Sequence, residues 1–103
     1  MSVAHTSHTS RQTRPRLLFF YDPKDGHARR VEGYLAQVLQ RRRNHDTFQI
    51  HRIDVRAHPD LAKRFRIDHS PVICVVNQRR VALRAERPKG IHQLEQLLTP
   101  WLQ

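Results

Sequence analysis

Two short segments hold the side chains that could do chemistry. In Asp25-Gly26-His27-Ala28 a carboxylate stands two residues before an imidazole. At a helix start the Asp25 oxygen can accept backbone N–H bonds. An imidazole, titrating near neutrality, can serve as acid, base or ligand. The plainer reading of the pair is a helix cap and an exposed loop histidine. Cys74 is the only thiol and lies within Val72-Ile73-Cys74-Val75-Val76. That apolar setting reads as buried and inert, since a redox role needs exposure and a basic neighbourhood. A single cysteine excludes an internal disulfide framework and a Cys-cluster metal site. The eight histidines lack the i, i+4 arrangement of a zinc helix.

The elements that must position these residues follow from periodicity. Leu17-Leu18-Phe19-Phe20-Tyr21 is an unbroken apolar run, as in a strand covered on both faces. Asp22-Pro23-Lys24-Asp25-Gly26 is turn chemistry. From His27 to about Arg41, the residues Val31, Tyr34, Leu35, Val38 and Leu39 recur at helical offsets. Arg41-Arg42-Arg43 closes that helix at the negative end of its dipole. A second strand is expected over about Thr47 to Val55, with Phe48, Ile50, Ile53 and Val55. A helix begins near Ala57-His58-Pro59-Asp60, with Pro at its first position and Leu61, Ala62 and Phe65 on its apolar face. Val72 to Val76 and Val81 to Ala85, joined by a turn over Asn77 to Arg80, read as an antiparallel hairpin. A last helix over about Lys89 to Leu102 carries Ile91, Leu94, Leu98 and Trp101, and Pro100 should fray its final turn. The order is β-α-β-α-β-β-α, one α/β domain over residues 16–103 with a mixed central sheet. Strands joined through helices should run parallel. Residues 1–15, with no acid and no apolar periodicity, read as a disordered tail rather than an organelle transit peptide.

In this order the chain resembles a thioredoxin-like domain, a three-layer sandwich. Asp54-Val55, His58-Pro59-Asp60-Leu61-Ala62, Phe65, Ile67 and Ser70-Pro71 look like that family's strand, short helix and cis-proline loop. The hairpin that follows, and Lys89-Gly90 with Leu94 and Leu97, resemble its closing elements. The family's N-terminal strand and helix are expected to be absent or replaced by the tail. The resemblance places Asp25-Gly26-His27-Ala28 where the family carries Cys-x-x-Cys, Lys24 where an aromatic residue precedes it, and Phe19 where many members bury a carboxylate. Disulfide exchange requires a thiolate nucleophile. Dithiol oxidoreductase activity is therefore not expected, and no catalytic residue is assigned. The family's proline would be cis here at Pro71, with the backbone of Ser70 pairing to an extended peptide and His69 close to the Asp25 loop. His27, His69 and Asp25 together would hold a metal only weakly; no metal and no cofactor is expected.

Charge bears on partners. Lys and Arg total 19 against 9 acids, a formal charge of +10. Such a field favours acidic proteins, nucleic acid or anionic lipid. Arg29, Arg30, Arg41, Arg42 and Arg43 are the candidate anion- or partner-binding residues. The basic clusters, which also include Arg64 with Arg66 and Arg79-Arg80, fall at different corners of the fold. All aromatic side chains but Tyr21 look committed to the core. The favoured function is a redox-inactive binding or adaptor module that takes a protein or peptide, acidic by charge, at the cis-proline groove. Weak polyanion binding accompanies it. The alternatives are a basic nucleic-acid-associated protein and a thiol- or glutathione-linked redox protein. No apolar stretch is long enough for a membrane helix. With no signal-peptide core and one free thiol, the expected compartment is the cytoplasm.

Overall fold

The computed structural model describes residues 14–41 and 44–102. Strand β1 (Arg16–Tyr21) leads through a turn into helix α1 (His27–Arg41), then β2 (Gln49–Asp54) and a short helix α2 (Pro59–Arg64). The hairpin β3 (Val72–Asn77) and β4 (Arg80–Glu86) follows, then helix α3 (Ile91–Leu98) and a 3-10 turn (Thr99–Trp101). The four strands form one sheet in the order β2-β1-β3-β4. The expected tail, except for Arg14 and Pro15, lies outside the described residues, as do Arg42 and Arg43.

Side chains alternate across a strand, and β1 uses that alternation to join two cores. Leu17 and Phe19 point into a cluster with Val31, Leu35 and Val38 of α1 and Leu94 and Leu98 of α3. Leu18 and Phe20 point the other way, toward Ile53, Val72 and Cys74, where Leu61 and Phe65 of the α2 region cover them. Burial of each large side chain is worth about 1.5–3 kcal/mol. β1 is therefore the strand on which all three layers depend.

Several boundaries differ from expectation for identifiable reasons. β2 starts at Gln49, after Thr47 and Phe48 have been used in the turn. There the Thr47 hydroxyl donates to Asn44 Oδ1 at 2.7 Å and the Asn44 N–H donates to the Leu39 carbonyl at 2.7 Å, closing α1. Phe48 is nonetheless buried, with its ring 6.2 Å from that of Trp101. β2 is an edge strand among the described residues, so Ile50 is left 42% exposed. β1 and β2 run parallel as expected, but β3 runs antiparallel to β1 although a helix joins it to β2. The six residues of α2 lie on the sheet face opposite α1 and α3 and lead the chain back in the reverse direction. Gln78 and Arg79 both take positive φ (51° and 68°), which gives the two-residue hairpin a loop that matches strand twist. The last helix stops at Leu98 because Pro100 forces the 3-10 turn. No helix among the described residues is long and apolar enough to cross a membrane.

Candidate functional site

The loop between β1 and α1 is held by its own side chains. The Asp25 N–H donates to the Asp22 carbonyl at 2.9 Å, and Asp22 Oδ1 accepts from the Lys24 N–H at 2.9 Å. Arg56, after β2, donates through Nε to the same Asp22 oxygen at 2.7 Å. Those bonds, the guanidinium first, hold the Asp22 carboxyl below the ordinary carboxylate range and raise Arg56. Asp25 performs the expected capping: its Oδ1 accepts from the His27 N–H at 3.0 Å. The imidazole Nδ1 of His27 lies 3.0 Å from the same oxygen. The backbone bond and then the imidazole keep the Asp25 carboxyl below its ordinary range.

On the facing side the Ser70-Pro71 peptide is cis, as the resemblance implied. The Pro71 carbonyl accepts from the Arg87 N–H at 2.9 Å, which locks the residue after β4 beside the proline. Arg87 itself takes a positive φ of 49°. Ser70 is half-buried, and its backbone N–H and carbonyl have no hydrogen-bond partner among the described residues.

Two cavities flank this point. One, of about 270 Å3, is lined by Asp22, Asp25, Asp68, His69, Ser70 and Arg87, with Val55 and Ile67 beneath. The other, of about 400 Å3, is lined by His27, Arg30, Arg87 and Lys89, with Val31, Tyr34, Pro71 and Pro88 as its apolar wall. The fold thus brings Asp25 beside His69 and Ser70, and His27 beside Pro71. It does not assemble a metal site from them, since no group of three or more His, Cys, Asp or Glu among the described residues could hold an ion. His69 Nε2 faces Glu86 Oε1 at 3.7 Å instead.

The remaining candidates separate. Arg30 lines the larger cavity, whereas Arg29 is exposed outside both. Arg41 is tied to Glu95 of α3 at 3.1 Å, so it braces two helices. Tyr34, expected in the core, is only half-buried and forms part of the cavity wall. Phe65 and Trp101 are likewise half-buried at the rims of their clusters. Arg87 and Lys89 are not among the binding candidates that the sequence offers, Lys89 marking there only the start of the last helix. The usable signal was their place just after the hairpin, opposite Pro71. Cys74 is fully buried against the α2 layer, and desolvation raises its thiol pKa. Phe19, which the resemblance sets where many members bury a carboxylate, is 1% exposed and stacks on Tyr21 at 5.8 Å. The region therefore offers a cap, a free backbone edge and fixed charges, but no thiol.

No family model matches the sequence, and no curated protein does. Solved structures do. A crystal structure of the germline-specific thioredoxin Deadhead from Drosophila melanogaster superposes with a TM-score of 0.75 at 17% identity, covering 96% of this chain and 91% of that one. Trxlp from Edwardsiella tarda gives 0.73 at 15% identity, over 90% of this chain and 91% of that one. Desulfothioredoxin from Desulfovibrio vulgaris Hildenborough gives 0.72 at 20% identity, over 84% of this chain and 80% of that one. On these superpositions and the topology above, the chain has a thioredoxin-like fold.

Proposed function

We propose that this chain is a redox-inactive binding or adaptor module, taking an extended protein or peptide segment in the groove between the Asp25–Ala28 loop and Ser70-Pro71. One observation carries the reading: the Ser70 backbone has free hydrogen-bonding groups between two open cavities, on a scaffold with no cysteine at the facing helix start. Strand addition supplies affinity through such main-chain groups and specificity through side chains in flanking pockets.

Two measurements test it. The purified chain should reduce insulin disulfides no faster than its Cys74→Ser variant; turnover above that background overturns redox inactivity. Amide chemical shifts on titration with binding peptides should move at Ser70 and at His27–Ala28; shifts confined to other faces overturn the groove.

A further inference from the structure

The larger of these two cavities gathers cations with no acid in its lining, whereas a third, of about 600 Å3, sets Arg64, Arg66 and Arg84 beside Asp68. Elsewhere Arg41, Arg52, Arg56 and Arg84 each sit against a carboxylate, at 3.1, 2.6, 2.7 and 2.7 Å respectively. Arg30, Arg87 and Lys89 come from α1, from the end of β4 and from the approach to α3, and all three line one cavity. None of them has an ion-pair partner among the described residues, and no acid lines that cavity. Asp25, whose carboxyl feels Arg87 weakly, is already engaged by His27. The adjoining wall of Val31, Tyr34, Pro71 and Pro88 is mostly apolar.

We infer that this cavity is a specificity pocket for an anionic side chain, carboxylate or phosphoryl, of the segment bound at Ser70. This rests on the groove reading above. Pro71 lines the cavity and directly follows the residue whose backbone is free, so a side chain of a segment paired there is delivered into it. Two Arg and one Lys supply converging donors for a carboxylate or a dianionic phosphoryl group. The apolar wall takes the methylene stem. The opposite cavity sets Asp22, Asp25 and Asp68 against Arg87 and His69, and so favours an anion less. The groove therefore has a charge polarity that sets the direction in which a segment lies.

The test selects N-acetylated, C-amidated random decapeptides, with Asp, Glu and phosphoserine at equal input, on the immobilised full chain at about 0.15 M salt. Selected peptides are then titrated into isotope-labelled chain. The expected result is enrichment of an anionic residue at one peptide position, with shifts at Ser70 and Tyr34. The relative enrichment of Asp and Glu against phosphoserine separates a carboxylate from a phosphoryl ligand. The exposed double reversal Arg30→Glu with Lys89→Glu, checked by circular dichroism, should weaken binding of the anionic peptide roughly tenfold or more. It should leave a neutral peptide's shift at Ser70 in place. Arg87→Ala should act in the same direction. Shifts at Ser70 without a positional anion preference, or a preference unchanged by the double reversal, overturn the pocket and leave the groove standing. No shift at Ser70 with any peptide overturns the groove and the pocket together.

Discussion

At the scale of single residues, Cys74 and Asp25 show how environment decides chemistry. Cys74 has no exposed surface, and burial raises its thiol pKa, so little thiolate forms at neutral pH and no reagent reaches it. The native chain should therefore resist 5,5′-dithiobis-nitrobenzoate at pH 8 and release one equivalent of chromophore on unfolding in guanidinium; rapid labelling of native chain contradicts this. Asp25 is displaced in the opposite direction. Its carboxyl is lowered, first by the His27 N–H and then by the His27 imidazole. A lowered folded-state pKa gives stability that is present above the unfolded carboxylate value and lost as pH falls through the folded one. Carboxyl carbon shifts should place the Asp25 titration below the ordinary Asp range. His27→Ala should move it only part of the way back, because the backbone bond remains. A full return to the ordinary range assigns the shift to the imidazole alone.

At the scale of elements, Arg84 joins two layers that sequence order keeps apart. From β4 it donates through Nη1 to the Phe65 carbonyl at 2.6 Å, through Nη2 to the Arg66 carbonyl at 2.7 Å and through Nε to Glu86 at 2.7 Å. The two carbonyls are at the end of α2, where Arg66 takes a positive φ of 55° and the helix stops. One guanidinium thus satisfies carbonyls that a helix end leaves open. Arg84→Met keeps the aliphatic stem and removes the fork. It should cost about 1–2 kcal/mol in urea unfolding, the range for charge-assisted bonds discounted for partial exposure. It should also speed amide exchange in α2 relative to β1. Arg84→Lys should recover little, since an ammonium cannot span both carbonyls. Full recovery by Lys would show that charge alone matters there. This clamp was not legible in the sequence: the alternation of Val81 to Ala85 marks a strand, and nothing in it says which face Arg84 crosses.

At the scale of the whole molecule, the formal charge of +10 is spread unevenly. Arg41 and Arg84 are spent on internal bracing, while Arg30, Arg87 and Lys89 meet at one cavity. Arg64 and Arg66 meet Arg84 at a third cavity, which Asp68 also lines. Contacts to a polyanion from scattered cations are few and salt-sensitive. Heparin should therefore retain the chain at low salt and release it below ~0.5 M. Retention beyond that would favour the nucleic-acid reading over the groove.

Periodicity by itself determined the elements and their order. Val31, Leu35, Val38 and Leu39 at helical spacing, and the unbroken run Leu17 to Tyr21, each have one economical way to bury their surface. The missing thiols at Asp25-Gly26-His27-Ala28 were equally plain, because an absent nucleophile needs no geometry to recognise. Tertiary structure alone decided direction and assembly. Whether β3 runs with or against β1 depends on the layer that α2 covers, and no local pattern records it. Arg30 lies dozens of residues before Arg87 and Lys89, and only the folded chain, with the Arg87 N–H bonded to the Pro71 carbonyl, brings all three to one cavity. Burial is written into a chain as a repeating spacing, whereas a site is a meeting of distant residues that only the folded chain creates.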